Sequence, residues 1–132
     1  MSTIMVINAK GGSGKTTIST NLAAYYADAG YNVTLVDLDP QGSALNWLSY
    51  RPLTKPKIKG VTSIMPKKVS KKSNDITIFD VPAAIYGAKL ENYIKKAKKI
   101  VIPVLPSPID MAAAKDFPVS YTHLRAHETD IN

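Results

Sequence analysis

Lys10-Gly11-Gly12-Ser13-Gly14-Lys15-Thr16-Thr17 is the stretch that decides the fold. It follows a short apolar run, Ile4-Met5-Val6-Ile7, and precedes Ile18, Leu22, Tyr25 and Tyr26, which fall at helical spacing. A strand, a glycine-rich loop and a helix opening on Lys-Thr form the P-loop arrangement. Glycines let backbone N–H groups turn inward around an anion. The helix N-terminus adds unpaired N–H groups and the positive end of a dipole. On this reading Lys15 reaches the β- and γ-phosphates of a nucleotide, and the Thr16 hydroxyl ligates Mg²⁺. Ala9 stands where the usual pattern begins with glycine, at the strand end and outside the tight part of the loop.

Working outward, residues 3–8 read as a buried strand and residues 15–29 as a helix, with Gly30 just past its end. Tyr25 and Tyr26 read as packing residues. A second buried strand covers 32–36 and runs into Asp37-Leu38-Asp39-Pro40-Gln41-Gly42. Ligands of open α/β sheets bind beyond the carboxyl ends of the strands. Two carboxylates one residue apart at such an end suit a nearby cation. A capped turn accounts for them equally, since Asp before Pro is good turn chemistry and Gly42-Ser43 can begin a helix. Residues 43–50 read as a short helix in which Trp47 is a packing or edge residue. Residues 51–59 are rich in Pro and Lys and read as a loop. Residues 60–65 make a short strand and 66–74 a basic connector.

Asp75-Ile76-Thr77-Ile78-Phe79-Asp80 reads as a third buried strand. Its terminal Asp80 matches the Walker B pattern, a carboxylate that supports Mg²⁺ directly or through water. Residues 85–97 predict a helix with Leu90, Tyr93, Ile94 and Ala97 on its apolar face. A strand over 99–105, a Pro106-Ser107-Pro108 turn and a further helix over 109–117 follow.

Composition is that of a soluble globular domain, and no apolar run approaches the ~20 residues of a membrane span. The start of the chain lacks a basic-then-apolar signal pattern, which predicts a cytoplasmic protein. There are no cysteines, which excludes disulfides and thiolate metal sites within this sequence. The net charge of +7 includes two lysine runs, 67–72 and 95–99, and suits non-specific attraction to nucleic acid or anionic lipid.

Four ordered motifs belong together. The residues 10–17 resemble the deviant Walker A motif of the ParA/MinD superfamily, which adds a lysine at the motif's start, here Lys10. Residues 37–42 resemble its A′ motif and 78–82 its Walker B. Residues 102–110 are similar to its next strand and the proline-containing loop near the base. The resemblance is strongest to compact ParA-type partition ATPases. It implies an α/β P-loop NTPase fold, a mostly parallel sheet flanked by helices, incomplete at the C-terminus. It also implies ATP and Mg²⁺ as cofactors. Gly11, Gly12, Ser13, Gly14, Lys15, Thr16 and Thr17 then hold the phosphates. Pro106, Ser107 and Pro108 contribute to the base pocket. Thr16, Asp37 and Asp80 serve the metal. Asp39 positions the attacking water, and Lys10 reaches the phosphates of a partner subunit.

The implied function is an ATP-hydrolysing dimerisation switch for plasmid or chromosome partition or cargo positioning. The ATP-bound homodimer is expected to bind DNA non-specifically, and so to associate with the nucleoid, until a partner protein stimulates hydrolysis. A MinD-like membrane-positioning ATPase is the first alternative, but it needs an amphipathic C-terminal helix that residues 118–132 do not offer. A nucleotide-independent DNA-binding module is the second. The domain is read as residues 1–117. Residues 118–132 lack a strand or amphipathic pattern, resemble translated sequencing-adapter DNA, and are expected not to be family sequence. His123 and His127 lie there with no third ligand evident.

Overall fold

The computed structural model describes residues 2–7, 15–62, 74–82 and 88–103. Its elements are β1 (Ser2–Val6), α1 (Lys15–Asp28), β2 (Asn32–Asp37), α2 (Ser43–Ser49), β3 (Ile58–Thr62), β4 (Asp75–Asp80), α3 (Ala88–Lys96) and β5 (Lys99–Val101). The five strands form one sheet in the order β3-β2-β4-β1-β5. Every described pairing is parallel. This is the α/β fold with a parallel sheet that the residues predict.

Topology explains why both faces are covered. The β1–α1–β2 unit travels one way along the sheet, and β4–α3–β5 travels the other. Right-handed crossovers therefore place α1 and α3 on opposite faces. The alternating side chains of each strand sort accordingly. Ile4, Val6, Val33, Leu35, Ile76 and Ile78 pack with α1 and α2. Met5, Ile7, Val36, Phe79 and Val81 pack with Tyr93, Ile94 and Ala97 of the α3 segment. A sheet buried on both faces needs continuous apolar strands rather than alternating ones, which is the pattern of β1, β2 and β4.

The end of α1 is set by Gly30, whose φ of 95° suits a residue without a Cβ. The Gly30 N–H donates to the Ala27 carbonyl at 3.1 Å, and the Tyr31 N–H to the Tyr26 carbonyl at 3.0 Å. These two bonds define a Schellman cap. The Tyr26 and Tyr31 rings meet edge to face at 5.5 Å and supply its usual apolar contact.

Several expectations shift. The core face of α1 is built from small residues, Ser19, Ala23 and Ala27, which let the helix approach the sheet closely. Tyr26 packs, but Tyr25 is 66% exposed and touches Tyr26 edge-on from outside. The predicted loop over 51–59 gives way to strand at Ile58. Thus β3 starts two residues earlier than predicted and pairs Ile58 with Val33. Trp47 is half-buried against the core, as predicted. Helix α3 and strand β5 fall within their predicted spans. The predicted helix over 109–117 and the segment 118–132 lie outside the described residues.

Candidate functional site

All five strands run in one direction, so their carboxyl ends share one sheet edge. There Asp37 and Asp80 are register partners on neighbouring strands, and Asp80 also pairs with Val6 of β1. The ladder continues one residue beyond the strands. The Leu38 N–H donates to the Asp80 carbonyl, the Val81 N–H to Val6, and the Ile7 N–H to Val101, each at 3.0 Å. The end of β1 therefore lies beside Asp80, and Asp37 stands one strand further along the same edge.

Helix α1 returns to this edge. In its first turn, the Thr16 hydroxyl donates to Asp80 Oδ2 at 3.1 Å. Sixty-four positions separate the two residues in the chain. Asp80 is fully buried on the α1 face of the sheet, as the parity of Ile76 and Ile78 requires. The first turn is braced behind this contact. The Thr16 carbonyl accepts the Ser19 hydroxyl at 3.0 Å and the Thr20 hydroxyl at 2.8 Å, and the Thr17 carbonyl also accepts from Thr20 at 3.1 Å. Ser19 and Thr20 are buried, and these local bonds satisfy their hydroxyls.

Asp37 has a structural task that motif reading misses. Its carboxylate is 3% exposed and accepts three backbone N–H bonds. Oδ1 takes the Asp39 N–H at 3.0 Å; Oδ2 takes Ala44 at 3.0 Å and Leu45 at 3.1 Å. Helix α2 begins after Gly42, which has a left-handed backbone and no side chain to cap with. Asp37, seven residues upstream of Ala44, supplies the missing cap and sits at the favourable end of the helix dipole. Asp39 forms a second local turn, its Oδ1 accepting the Gln41 N–H at 2.9 Å while its carbonyl accepts Gly42. The capped-turn alternative is thus realised. The signal for Asp37's role lay in Gly42, a cap position without a side chain ahead of an apolar helix.

The structure brings together Thr16, Asp37 and Asp80, with Asp39 two residues past β2. Thr17 follows on α1 and is exposed. Lys15 opens α1, and its side chain is outside the described set. Lys10, Gly11, Gly12, Ser13, Gly14, Pro106, Ser107 and Pro108 also lie outside the described residues. Among the described residues, no three His, Asp or Glu side chains gather as a metal cluster.

A parallel sheet whose carboxyl edge joins a Lys-Thr helix start to a strand-terminal aspartate defines a P-loop nucleotide-binding domain. The family model described as "CobQ/CobB/MinD/ParA nucleotide binding domain" matches residues 4–115, and the chain belongs to this family. It is 34% identical over 125 residues to the maintenance of carboxysome distribution protein A of Halothiobacillus neapolitanus, covering 85% of this chain and 54% of that protein. A 48-residue stretch is 58% identical to the chromosome-partitioning ATPase Soj of Thermus thermophilus, 36% of this chain and 19% of that one. The solved structure of pnob8 ParA superposes with a TM-score of 0.70 at 16% identity, over 92% of this chain and 57% of that one, and shows the shared fold. The chain spans about half the length of the carboxysome-distribution relative and of the ParA structure that it matches.

Proposed function

We propose that the chain carries the nucleotide site of an ATP-dependent positioning switch, acting on DNA or on a cargo. The observation that supports it most is the Thr16–Asp80 hydrogen bond, which ties the P-loop helix to the Walker B strand. A magnesium ion fits this pair. It prefers hard oxygen donors, keeps several waters, and needs only one or two protein carboxylates. Thr16 and Asp80 would hold it, with Asp37 beside them. When bound, Mg²⁺ would neutralise charge on the phosphates.

The chain's own residues would divide the remaining work. Backbone N–H groups of Gly11, Gly12, Ser13 and Gly14, the Lys15 ammonium and Thr17 bind the phosphates. Asp39 orients the attacking water. Lys10 reaches across an ATP-bound homodimer and stabilises charge developing on the partner's phosphates. Pro106, Ser107 and Pro108 border the base. The ATP-bound dimer binds DNA without sequence preference, helped by the +7 charge, and a partner protein stimulates hydrolysis to release it. On this reading the protein is cytoplasmic and joins the nucleoid when ATP-bound. The relatives' names, chromosome partitioning and carboxysome distribution, describe the two kinds of task such a switch serves.

The test is DNA binding by the full-length gene product with ATP, with ADP, and across a salt series. Binding that needs ATP and weakens with salt is expected. Binding that ignores nucleotide, or that survives Lys15→Ala, selects the nucleotide-independent DNA-binding module instead. Lys10→Ala is expected to keep nucleotide binding while ATP-dependent dimerisation, followed by light scattering, is lost. A variant that still dimerises and hydrolyses normally removes the cross-dimer role.

A further inference from the structure

Residues 51–59, Arg-Pro-Leu-Thr-Lys-Pro-Lys-Ile-Lys, have no part in the nucleotide site. They lie at the other end of the sheet. Ile58 pairs with Val33 at the start of β2, whereas Asp37 at its end pairs with Thr62. At ~3.3 Å per residue, four residues of strand put about 13 Å between the two levels.

The segment and the end of α2 line an open surface pocket of about 290 Å³. Leu48, Pro56 and Ile58 give it apolar walls; Arg51, Lys55 and Lys57 give it positive charge. None of its described lining residues is acidic. Leu53, which also lines it, is fully exposed, and nearby Tyr50 is 79% exposed. A lysine on either side of Ile58 discourages strand addition at the β3 edge. That explains neither the pocket nor the bare Leu53.

The surface is also pre-organised. Arg51 Nε donates to the Pro56 carbonyl at 3.0 Å, and the Lys55 N–H donates to the Pro52 carbonyl at 3.1 Å. The Arg51 guanidinium lies 5.7 Å from the centre of the Trp47 ring. Its buried Nη2 forms an ion pair with Asp28 Oδ1 at 3.6 Å, so Arg51 holds the loop in place. A loop held this way loses little entropy on binding. An incoming carboxylate would meet the exposed Lys55 and Lys57 on this braced loop.

We infer that this surface docks an acidic segment of a partner protein, one that inserts a large apolar side chain beside Leu53 while its carboxylates meet Lys55 and Lys57. Charge complementarity sets the sign of the partner, and the apolar walls set its class. A nucleic-acid backbone satisfies the lysines but offers no aliphatic group to fill a pocket walled by leucine, isoleucine and proline. Among the described lining residues none is aromatic.

The test measures fluorescence anisotropy of three labelled probes on the full chain. One is an acidic dodecapeptide with a central Leu-Phe pair, the second the same peptide with Ser-Ser there, and the third an oligothymidine of equal charge. The first is expected to bind at least about tenfold more tightly than the others. Leu53→Ser should weaken the first peptide alone, and the double change Lys55→Glu/Lys57→Glu should weaken both peptides. Thermal melting and nucleotide binding should be unchanged in each variant, because the altered side chains are exposed and far from the carboxyl edge. Failure of the first peptide to bind overturns the proposal. So does equal binding of all three probes that ignores Leu53→Ser, which is generic attraction to a basic chain, or a preference for oligothymidine. The outcome is independent of the ATP-switch reading, since no nucleotide is present.

Discussion

At the residue scale, Thr16 and Asp37 divide the carboxyl edge between ligand chemistry and architecture. Thr16→Val keeps the shape and removes the hydroxyl that Asp80 accepts. A neutral hydrogen bond contributes about 1 kcal/mol net and one to a charged group about 2, so the loss of stability should be modest. The larger effect should fall on Mg²⁺. In a titration of nucleotide binding against Mg²⁺, Thr16→Val is expected to lose most of the metal dependence and Thr16→Ser to restore it. An unchanged Mg²⁺ midpoint in Thr16→Val removes the metal role. Asp37→Asn should behave in the opposite way. The amide removes the charge at the start of α2 and leaves one acceptor oxygen, so either the Asp39 N–H or the Ala44 and Leu45 N–H groups together lose their acceptor. Without nucleotide or metal, about 1–3 kcal/mol of stability should go in urea unfolding. In Asp37→Ala, which removes both oxygens, amide exchange should accelerate first at Ala44 and Leu45. Retained protection there would show that Asp37 does not cap α2.

At the element scale, two glycines respond differently to an added side chain. Gly30 closes α1 with φ at 95°, and a Cβ there would meet nothing within 4 Å. Gly30→Ala therefore carries only the conformational cost, about 1–2 kcal/mol. A Cβ on Gly60 would come within 2.7 Å of Leu45 Cδ2 and 2.9 Å of Leu48 Cδ1. Those atoms are the mobile ends of leucines, and alanine loses less backbone entropy on folding than glycine. Gly60→Ala should stay near neutral, while Gly60→Val should force α2 off β3 and lose about 1–3 kcal/mol. Urea unfolding of the three variants checks the contrast. The same elements show what the residues reveal by themselves. The continuous apolar runs of β1, β2 and β4 are legible because a strand buried on both faces has to be apolar throughout. Continuity also hides the strand order, since no alternation says which side chains face which helix. Strand β3 was harder to see. It buries only Ile58 fully, between two lysines, and owes its place to pairing with β2. Thr16 and Asp80 are legible as motif residues because their spacing follows from nucleotide chemistry. The carboxylate of Asp37 bonding Ala44 and Leu45 depends on where α2 turns back, and no spacing rule contains it.

At the scale of the whole molecule, the parallel sheet separates two packed layers while binding them into one unit. Ile78, fully buried on β4, belongs to the layer of α1 and α2; Ile94, 1% exposed on α3, belongs to the other. Removing a methyl from either, as Ile78→Val and Ile94→Val, should cost about 0.5–1.5 kcal/mol through lost contacts and a small cavity. The two sites share no cluster, so the double variant should lose the sum within about 0.5 kcal/mol. Their effect on cooperativity should nevertheless be common. Strand β4 contributes Phe79 to one layer and Ile78 to the other, so neither layer can open without disturbing the strand both rest on. Circular dichroism and tryptophan fluorescence, the latter reporting from Trp47 in the α1–α2 layer alone, should therefore give coincident urea transitions in all three variants. A fluorescence midpoint that moves with Ile78→Val but not with Ile94→Val would mean that the two layers unfold separately. The carboxyl edge would then be held by the α1 side alone.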